Sequence, residues 1–495
     1  MRRLRILVVL ALVAVLPGHL GAAAAGTKAK SASATSPAVS DVLRVPRPQG
    51  GEYFGVFLVN KKVGWFFSDL ARIPGTNKVR AVGELVFKAK VGTGNSDRRQ
   101  YDERIYEAKP GGRLLSFVIK NQGDGGDQVL EGTARPDGIT VKRHRPDQPD
   151  ETLRLPPTKE TVEDADQLRV ALLRGKKVTG VVLDPNDLRE YETVTSPGPE
   201  ERRVINGVST LLRRATSLNT KEKIPGDFVV APDGSIVEVV YGSNLTMRAE
   251  PKSTAQRLDR VEVFSLTRLV LPAAPTPSAK NGPGEWTQVL TGVPPKFHRE
   301  TDRQTYKELG DGRSEVTIHA APPDPTKLVK IGMPRPPETA EYLNSSILVE
   351  SDNPAIVKQA KKIAGGEKDA YTVAKKVVAW VGDHMEKDYG VSADRATDVL
   401  RTMRGDCTEH SLLSIALLRA LGVPARRVDG VVYVNQDGVP ALYWHEWVEA
   451  WVGTWTQLDP TFGQPVADAT HLTLGEESGA EIMPLLGELK VVASR

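Results

Sequence analysis

The chain has 495 residues, 26% of them charged and 40% apolar, with a formal net charge of only +4. That length holds roughly two to four domains with real cores, and the balanced charge leaves no basic stripe of the kind nucleic acid demands. A single cysteine, Cys407, excludes an internal disulfide.

Arg2, Arg3 and Arg5 precede an apolar run from Ile6 to Leu16, which Pro17 and Gly18 break. Small residues, Ala22 to Ala25, then offer cleavage sites. Residues 1–25 therefore read as a secretory signal peptide. The run is too short to span a bilayer comfortably, which takes about 20 residues; a short uncleaved anchor is the other reading. A secreted or periplasmic protein follows, with no stable membrane span after cleavage. A lone thiol there is an intermolecular bridge, an inert buried residue or a reactive nucleophile. It does not follow the signal region, so lipid attachment to an N-terminal cysteine is excluded. Residues 26–40, rich in Ala, Ser, Thr and Lys, read as a flexible spacer.

Residues 41–271 alternate like strands. "YFGVFLVNKKVGWFF" (Tyr53–Phe67) is two apolar runs about a polar turn, and Pro136-Asp137-Gly138 and Pro232-Asp233-Gly234 are further turn signals. A helix is predicted near Glu163–Leu173. "EAKPGGRLLSFVI" and "VVAPDGSIVEVVY" echo each other as strand, Pro-containing turn and strand. A duplicated curved sheet and chance likeness between hairpins both explain the echo. The region is expected to be a β-rich accessory domain that folds on its own. Residues 272–342 read as a Pro-rich linker with one clear strand, "SEVTIHA".

Residues 343–495 turn helical first. Asn353 and Pro354 make an N-cap and first helical residue, and Gly365-Gly366 ends that helix. Tyr371, Ala374, Val378, Val381 and Met385 recur at helical spacing, and a third helix covers about Asp394 to Met403. In "RGDCTEHSLLSIALLRALGVP", Gly405 allows a turn and Asp406 is an N-cap that places Cys407 in the first turn of a buried helix. The helix dipole and free N–H groups there are expected to lower the thiol pKa and to receive an oxyanion. Strands follow over Val428–Val434, Leu442–Val452 and Trp455–Asp459. A turn at Gly453-Thr454 makes His445 and Asp459 neighbours. An imidazole oriented by a carboxylate and facing a thiol is the arrangement of nucleophilic catalysis.

"GDCTEHSLLSIALLRALGVPARRVDG" and "WHEWVEAWVGTWTQLDPTFGQ" resemble the core of the transglutaminase-like superfamily of papain-type thiol enzymes. The resemblance covers about residues 343–469. It implies an α+β fold in which a central buried helix carrying the cysteine packs on an antiparallel sheet, here preceded by a large, mostly antiparallel β region. It places Cys407, His445 and Asp459 at the catalytic positions. The family includes cross-linking acyltransferases, proteases, peptide amidases and members without catalysis. The expectation is an amide-directed acyl-transfer enzyme, peptidase or amidase ahead of transamidase, acting on a protein or peptide such as a cell-envelope component. The rival is a binding or assembly factor that uses the β region, with the thiol domain as scaffold.

His410 reads as packing near the site, and Asp406 as a cap. Glu446 should point away from His445, since strand neighbours alternate faces. Tyr443, Trp447 and Trp451 either wall the cleft or simply pack. His445-Glu446 is not H-E-x-x-H, and no D-x-D-x-D-G loop occurs, so no metal and no cofactor are expected. Calcium held by scattered carboxylates leaves no such signal.

Overall fold

The computed structural model describes residues 40–494, apart from 92–93, 124–125, 147, 206, 221–224, 273–283, 391–392, 394, 437 and 477–478. The expected signal peptide and nearly all of the spacer lie outside the described residues.

The β-rich region is one 15-stranded sheet. Residues 52–155 run as one antiparallel meander and residues 178–249 as a second. The two join where Glu52–Leu58, the first strand of one, pairs with Leu245–Ala249, the last strand of the other. Strands such as Gln128–Arg135 alternate buried and exposed positions, because one face meets the core and the other meets water. Both copies of the sequence echo fall on hairpins, each joining the fourth and fifth strands of its meander. The predicted helix runs over Gln167–Arg174, and Gly175 in the left-handed region ends it. Gln167 to Leu172 are all buried, so the helix is enclosed rather than lying on the surface. Leu168 and Leu172 belong to the apolar cluster that holds Phe54 and Phe228, and Val170 to the one that holds Phe117 and Ile119.

The stretch expected as a linker carries three strands where the sequence marks one. Glu285–Thr291, Gln304–Gly310 and Arg313–His319 form a four-stranded sheet with Lys490–Ser494. One of the extra strands is completed by pairing with a strand from the far end of the described chain, which no local pattern reveals. Residues 321–336 have no extended regular structure.

Four helices follow: α1 (Pro354–Ala364), α2 (Ala370–His384), α3 (Ala396–Thr402) and α4 (Cys407–Ala420). Asn353 caps α1, accepting from the Ala355 N–H at 2.9 Å, with Pro354 at the first position. Strands β1 (Ala425–Gln436), β2 (Val439–Trp451), β3 (Trp455–Leu458) and β4 (His471–Glu476) form an antiparallel sheet in which β1 lies between β2 and β4, and β3 pairs with β2. This is the α+β architecture expected: a buried cysteine-bearing helix on an antiparallel sheet, behind a large β region. Val448, Ala450 and Val452 of β2 pack with Leu413, Ala416 and Leu417 of α4.

The two regions share interior. One apolar cluster joins Phe54, Phe66 and Met247 of the large sheet to Tyr443, Trp444, Leu472 and Leu485. Leu269 and Val270, at the end of the β-rich region, add a short strand to the edge of β2, Leu269 opposite Leu442.

Candidate active site

Asp406 caps α4 and accepts from the Thr408 N–H at 2.8 Å. Glu409 reaches back to the Asp406 N–H at 2.7 Å, completing a capping box. Cys407 is thereby fixed as the first residue of α4, and it is 1% exposed. Its sulfur receives the backbone N–H of Glu446, the residue after His445 on β2. Ser411, one turn on, donates to the Glu446 carbonyl at 3.3 Å. The start of α4 is therefore stitched to β2 at the position of His445.

The turn between β2 and β3 is built on Gly453, at φ +118°. A Cβ there would come within 1.9 Å of the Lys327 carbonyl oxygen, so this position requires glycine. The turn sets Val448 opposite Leu458 and Trp451 opposite Trp455. Continued by one residue, that register puts Asp459 opposite Trp447 and diagonal to His445 on the same face, within reach of a long side chain. His445 Nε2 lies 2.8 Å from Asp459 Oδ2, and both residues are fully buried.

Asp459 Oδ1 accepts the N–H groups of Thr461 (2.6 Å) and Phe462 (3.1 Å). Burial alone would raise this carboxyl, but His445 and His471 outweigh it and hold Asp459 far below the usual carboxylate range. An ionised Asp459 accepts only, so Nε2 of His445 carries its proton. Nδ1 of His445 is then a lone pair, and it has no hydrogen-bond partner among the described residues. Burial lowers His445 below its ordinary value; Asp459 opposes this in part. The ring lies 5.8 Å from Trp447 and 5.3 Å from Phe462, which is 39% exposed.

The thiol departs from expectation. Burial raises Cys407 well above the ordinary thiol value, and Asp406 and Glu446 add to the rise. The N–H of Glu446 opposes it only in part. The helix start does supply favourable dipoles, but the fold also buries the sulfur and brings Glu446 to it from β2, which the local sequence does not show.

The other candidates fall as follows. Glu446 turns to the opposite face from His445 and pairs with Arg427 at 3.4 Å. His410 is buried, with Nδ1 2.6 Å from the Asp406 carbonyl, and serves the helix start rather than Asp459. Tyr443 packs edge-on to Phe264, and the Trp447 indole donates to Gln457 at 3.0 Å.

Sequence reasoning missed His471 and Asp468. His471 Nε2 lies 3.0 Å from Asp459 Oδ2, the oxygen that His445 also uses. His471 Nδ1 lies 3.1 Å from Asp468 Oδ1. The signal available was Asp468-x-x-His471 just before an apolar alternating run, a spacing too common to single out.

The family model for the transglutaminase-like superfamily matches residues 357–460, a span that includes Cys407, His445 and Asp459. An uncharacterized protein of Mycobacterium leprae (strain TN) is 35% identical over 68 residues, 13% of this chain and 24% of that protein, so the chain spans about a quarter of that relative. A candidate cysteine protease from Cytophaga hutchinsonii is similar in structure at 17% identity and a TM-score of 0.31, covering 46% of this chain and 84% of that one. A β-barrel-like protein of a domain of unknown function from Brucella abortus is similar at 13% identity and a TM-score of 0.32, covering 40% of this chain and 94% of that one. The likeness is thus at the level of one domain: residues 357–460 match the transglutaminase-like core.

Proposed function

We propose that the protein is a thiol-dependent acyl-transfer enzyme acting on amide bonds through Cys407, His445 and Asp459. The observation that carries this reading is the buried His445–Asp459 hydrogen bond of 2.8 Å, which leaves Nδ1 of His445 as an unpartnered acceptor. The thiol meets the same stretch of β2 through the Glu446 N–H.

Both groups are neutral at rest, the thiol raised and the imidazole lowered. The reaction then proceeds by general-base attack rather than from a preformed ion pair. As the sulfur–carbon bond forms, the S–H proton passes to Nδ1 of His445, and Asp459 stabilises the imidazolium. The carbonyl oxygen becomes an oxyanion that the Cys407 N–H receives at the start of α4. Collapse breaks the carbon–nitrogen bond, and Nδ1 returns its proton to the leaving amine. The thioester is then opened by water or by an amine. We read hydrolysis ahead of transamidation, because the described residues present no site specific for an amine.

The substrate class is a protein or peptide, met outside the cytoplasm if the leader at residues 1–25 acts as a signal. No helix among the described residues is long and apolar enough to cross a membrane.

The test is mass spectrometry of the full chain with candidate amide substrates, with and without a primary amine. A thioester adduct on Cys407 is expected, abolished by Cys407→Ser and His445→Ala and kept by His298→Ala. Free acid as product marks a hydrolase and the substituted amide marks a transamidase. An adduct that forms equally well in His445→Ala would remove the base from the mechanism.

A further inference from the structure

Asp459 is shared. Its Oδ2 accepts from two imidazoles, His445 at 2.8 Å and His471 at 3.0 Å, while its Oδ1 accepts from two backbone N–H groups. His471 then meets a second carboxylate. Its Nδ1 lies 3.1 Å from Asp468 Oδ1, which also accepts the Thr470 N–H at 2.9 Å. Asp468 Oδ2 accepts from Gln464 at 2.9 Å. His445, Asp459 and His471 are all fully buried, with bulk water excluded.

These contacts dictate protons. A neutral imidazole has one N–H and one lone pair. Facing a carboxylate with each nitrogen, a neutral His471 would set its lone pair against a negative oxygen. Two N–H donors satisfy both carboxylates, so His471 is an imidazolium. Burial opposes that charge, but the hydrogen bonds to Asp459 and Asp468 outweigh it and raise His471 above its ordinary value. The same contacts hold Asp468 down to about 2 against burial.

Nearby charges do not supply this one. Arg303 is buried next to the site, but it donates to the Asp468 main-chain oxygen at 2.8 Å and to Gln457 at 2.9 Å rather than to either carboxylate. Glu449, beyond it, is paired with Arg426. Trp447 and Phe462 otherwise meet the His471 ring. The ligand atoms of His445, Asp459 and His471 also lie within 4.8 Å of one another, as a metal ion would need. Yet all four acceptor directions of Asp459 and both nitrogens of His471 are already taken by hydrogen bonds, and a proton network accounts for each of them.

We infer that His471 is a positioning residue of the site, an imidazolium held between Asp459 and Asp468 that keeps Asp459 ionised and keeps His445 a neutral base. Without the positive charge of His471, Asp459 acts on His445 alone. His445 then becomes more basic and holds a proton on Nδ1 to higher pH, where it can no longer accept one from the thiol. The His445 and His471 rings are 5.9 Å apart, close enough for the charge of one to move the titration of the other. This inference rests on the proposed role of His445.

Selective nitrogen-15 labelling of histidine in the full chain tests it, with signals assigned through His445→Gln and His471→Gln. In the unaltered protein, His471 is expected to be doubly protonated at pH 7 and to titrate above the ordinary imidazole value. Asp468→Asn keeps a hydrogen-bond partner but removes the charge. It should leave His471 neutral at pH 7 and raise the His445 midpoint, since the His471 charge lowers it. A neutral His471 in the unaltered protein overturns the inference. So does a His445 midpoint that Asp468→Asn fails to move, which is what a purely structural role predicts. Adduct formation on Cys407, measured alongside, separates the two readings: its indifference to His445→Ala would sink the proposed enzyme while leaving the protonation of His471 decided by its own spectrum.

Discussion

The Trp444 indole donates its N–H to the Thr267 carbonyl at 3.0 Å, tying the strand that carries His445 to the end of the β-rich region. Trp444 also sits in the apolar cluster that includes Phe54 and Met247. A fragment of residues 41–271 would keep its strand pairings but bare that face to water. It is expected to give a β-type circular dichroism spectrum, to bind a hydrophobic dye, and to melt below the full chain. A fragment that melts at the temperature of the full chain and binds no dye would show that the shared cluster adds nothing to its stability.

Asp459→Asn should damage acylation more than folding. The amide can offer N–H where two imidazoles and two backbone groups now donate, so it disfavours the useful tautomer of His445. The same change in a serine-protease triad costs about 10⁴ in rate. Here too the nucleophile is neutral at rest and must lose its proton to the imidazole, so a loss on the order of 10²–10⁴ is expected. Leaving His471 short of a carboxylate should also lower stability, by about 1–3 kcal/mol. Single-turnover acylation and the melting midpoint on one preparation check both; an unaltered rate would leave Cys407 and His445 as a dyad.

Cys407 should label slowly. Its thiol is buried and raised, so iodoacetamide at pH 7 is expected to modify it at least about tenfold more slowly than a free thiol of pKa about 8.5. The rate should still be climbing at pH 9. A labelling midpoint below the free-thiol value would mean that the helix start dominates after all.

Acid and base should both weaken the fold at the buried network. Asp468 is depressed to about 2, so its contribution is present above the unfolded value of about 3.9 and lost as pH falls toward 2. His471 is raised, so its contribution is present below the unfolded value of about 6.5 and lost as pH rises through its folded value. The network is therefore fully stabilising between about pH 4 and 6.5. Melting midpoints from pH 2 to 9 should fall at both ends, and Asp468→Asn should flatten the acid limb. A variant with the same acid limb as the unaltered protein would remove Asp468 from the account.

The parts legible in the sequence were those with local signatures. Asp406 before an apolar run marked the start of α4. Gly453 between alternating strands fixed the register that joins His445 to Asp459. The turns at Pro136-Asp137-Gly138 and Pro232-Asp233-Gly234 marked hairpins that the structure contains. What was hidden depends on pairing between distant segments. β4 brings His471 to Asp459 by pairing with β1 rather than with its neighbour in sequence. The thiol shift runs opposite to the expectation from the helix start because burial of the sulfur, with Asp406 and then Glu446 beside it, outweighs the dipole. The strands at Gln304–Gly310 and Lys490–Ser494 are defined by their partners more than by their own composition.

The pairing of Phe54 with Ala249 sets a problem of timing. "YFGVFL" is apolar, rich in aromatic side chains and free of charge. Its outer edge stays open until the second meander has been made and returned to it. A growing or unfolded chain thus presents an unpaired, adhesive strand edge for most of its assembly. Refolding from denaturant should be slow, as for other folds dominated by distant contacts. It should also lose yield steeply as protein concentration rises, and a holding chaperone that covers such edges should restore it.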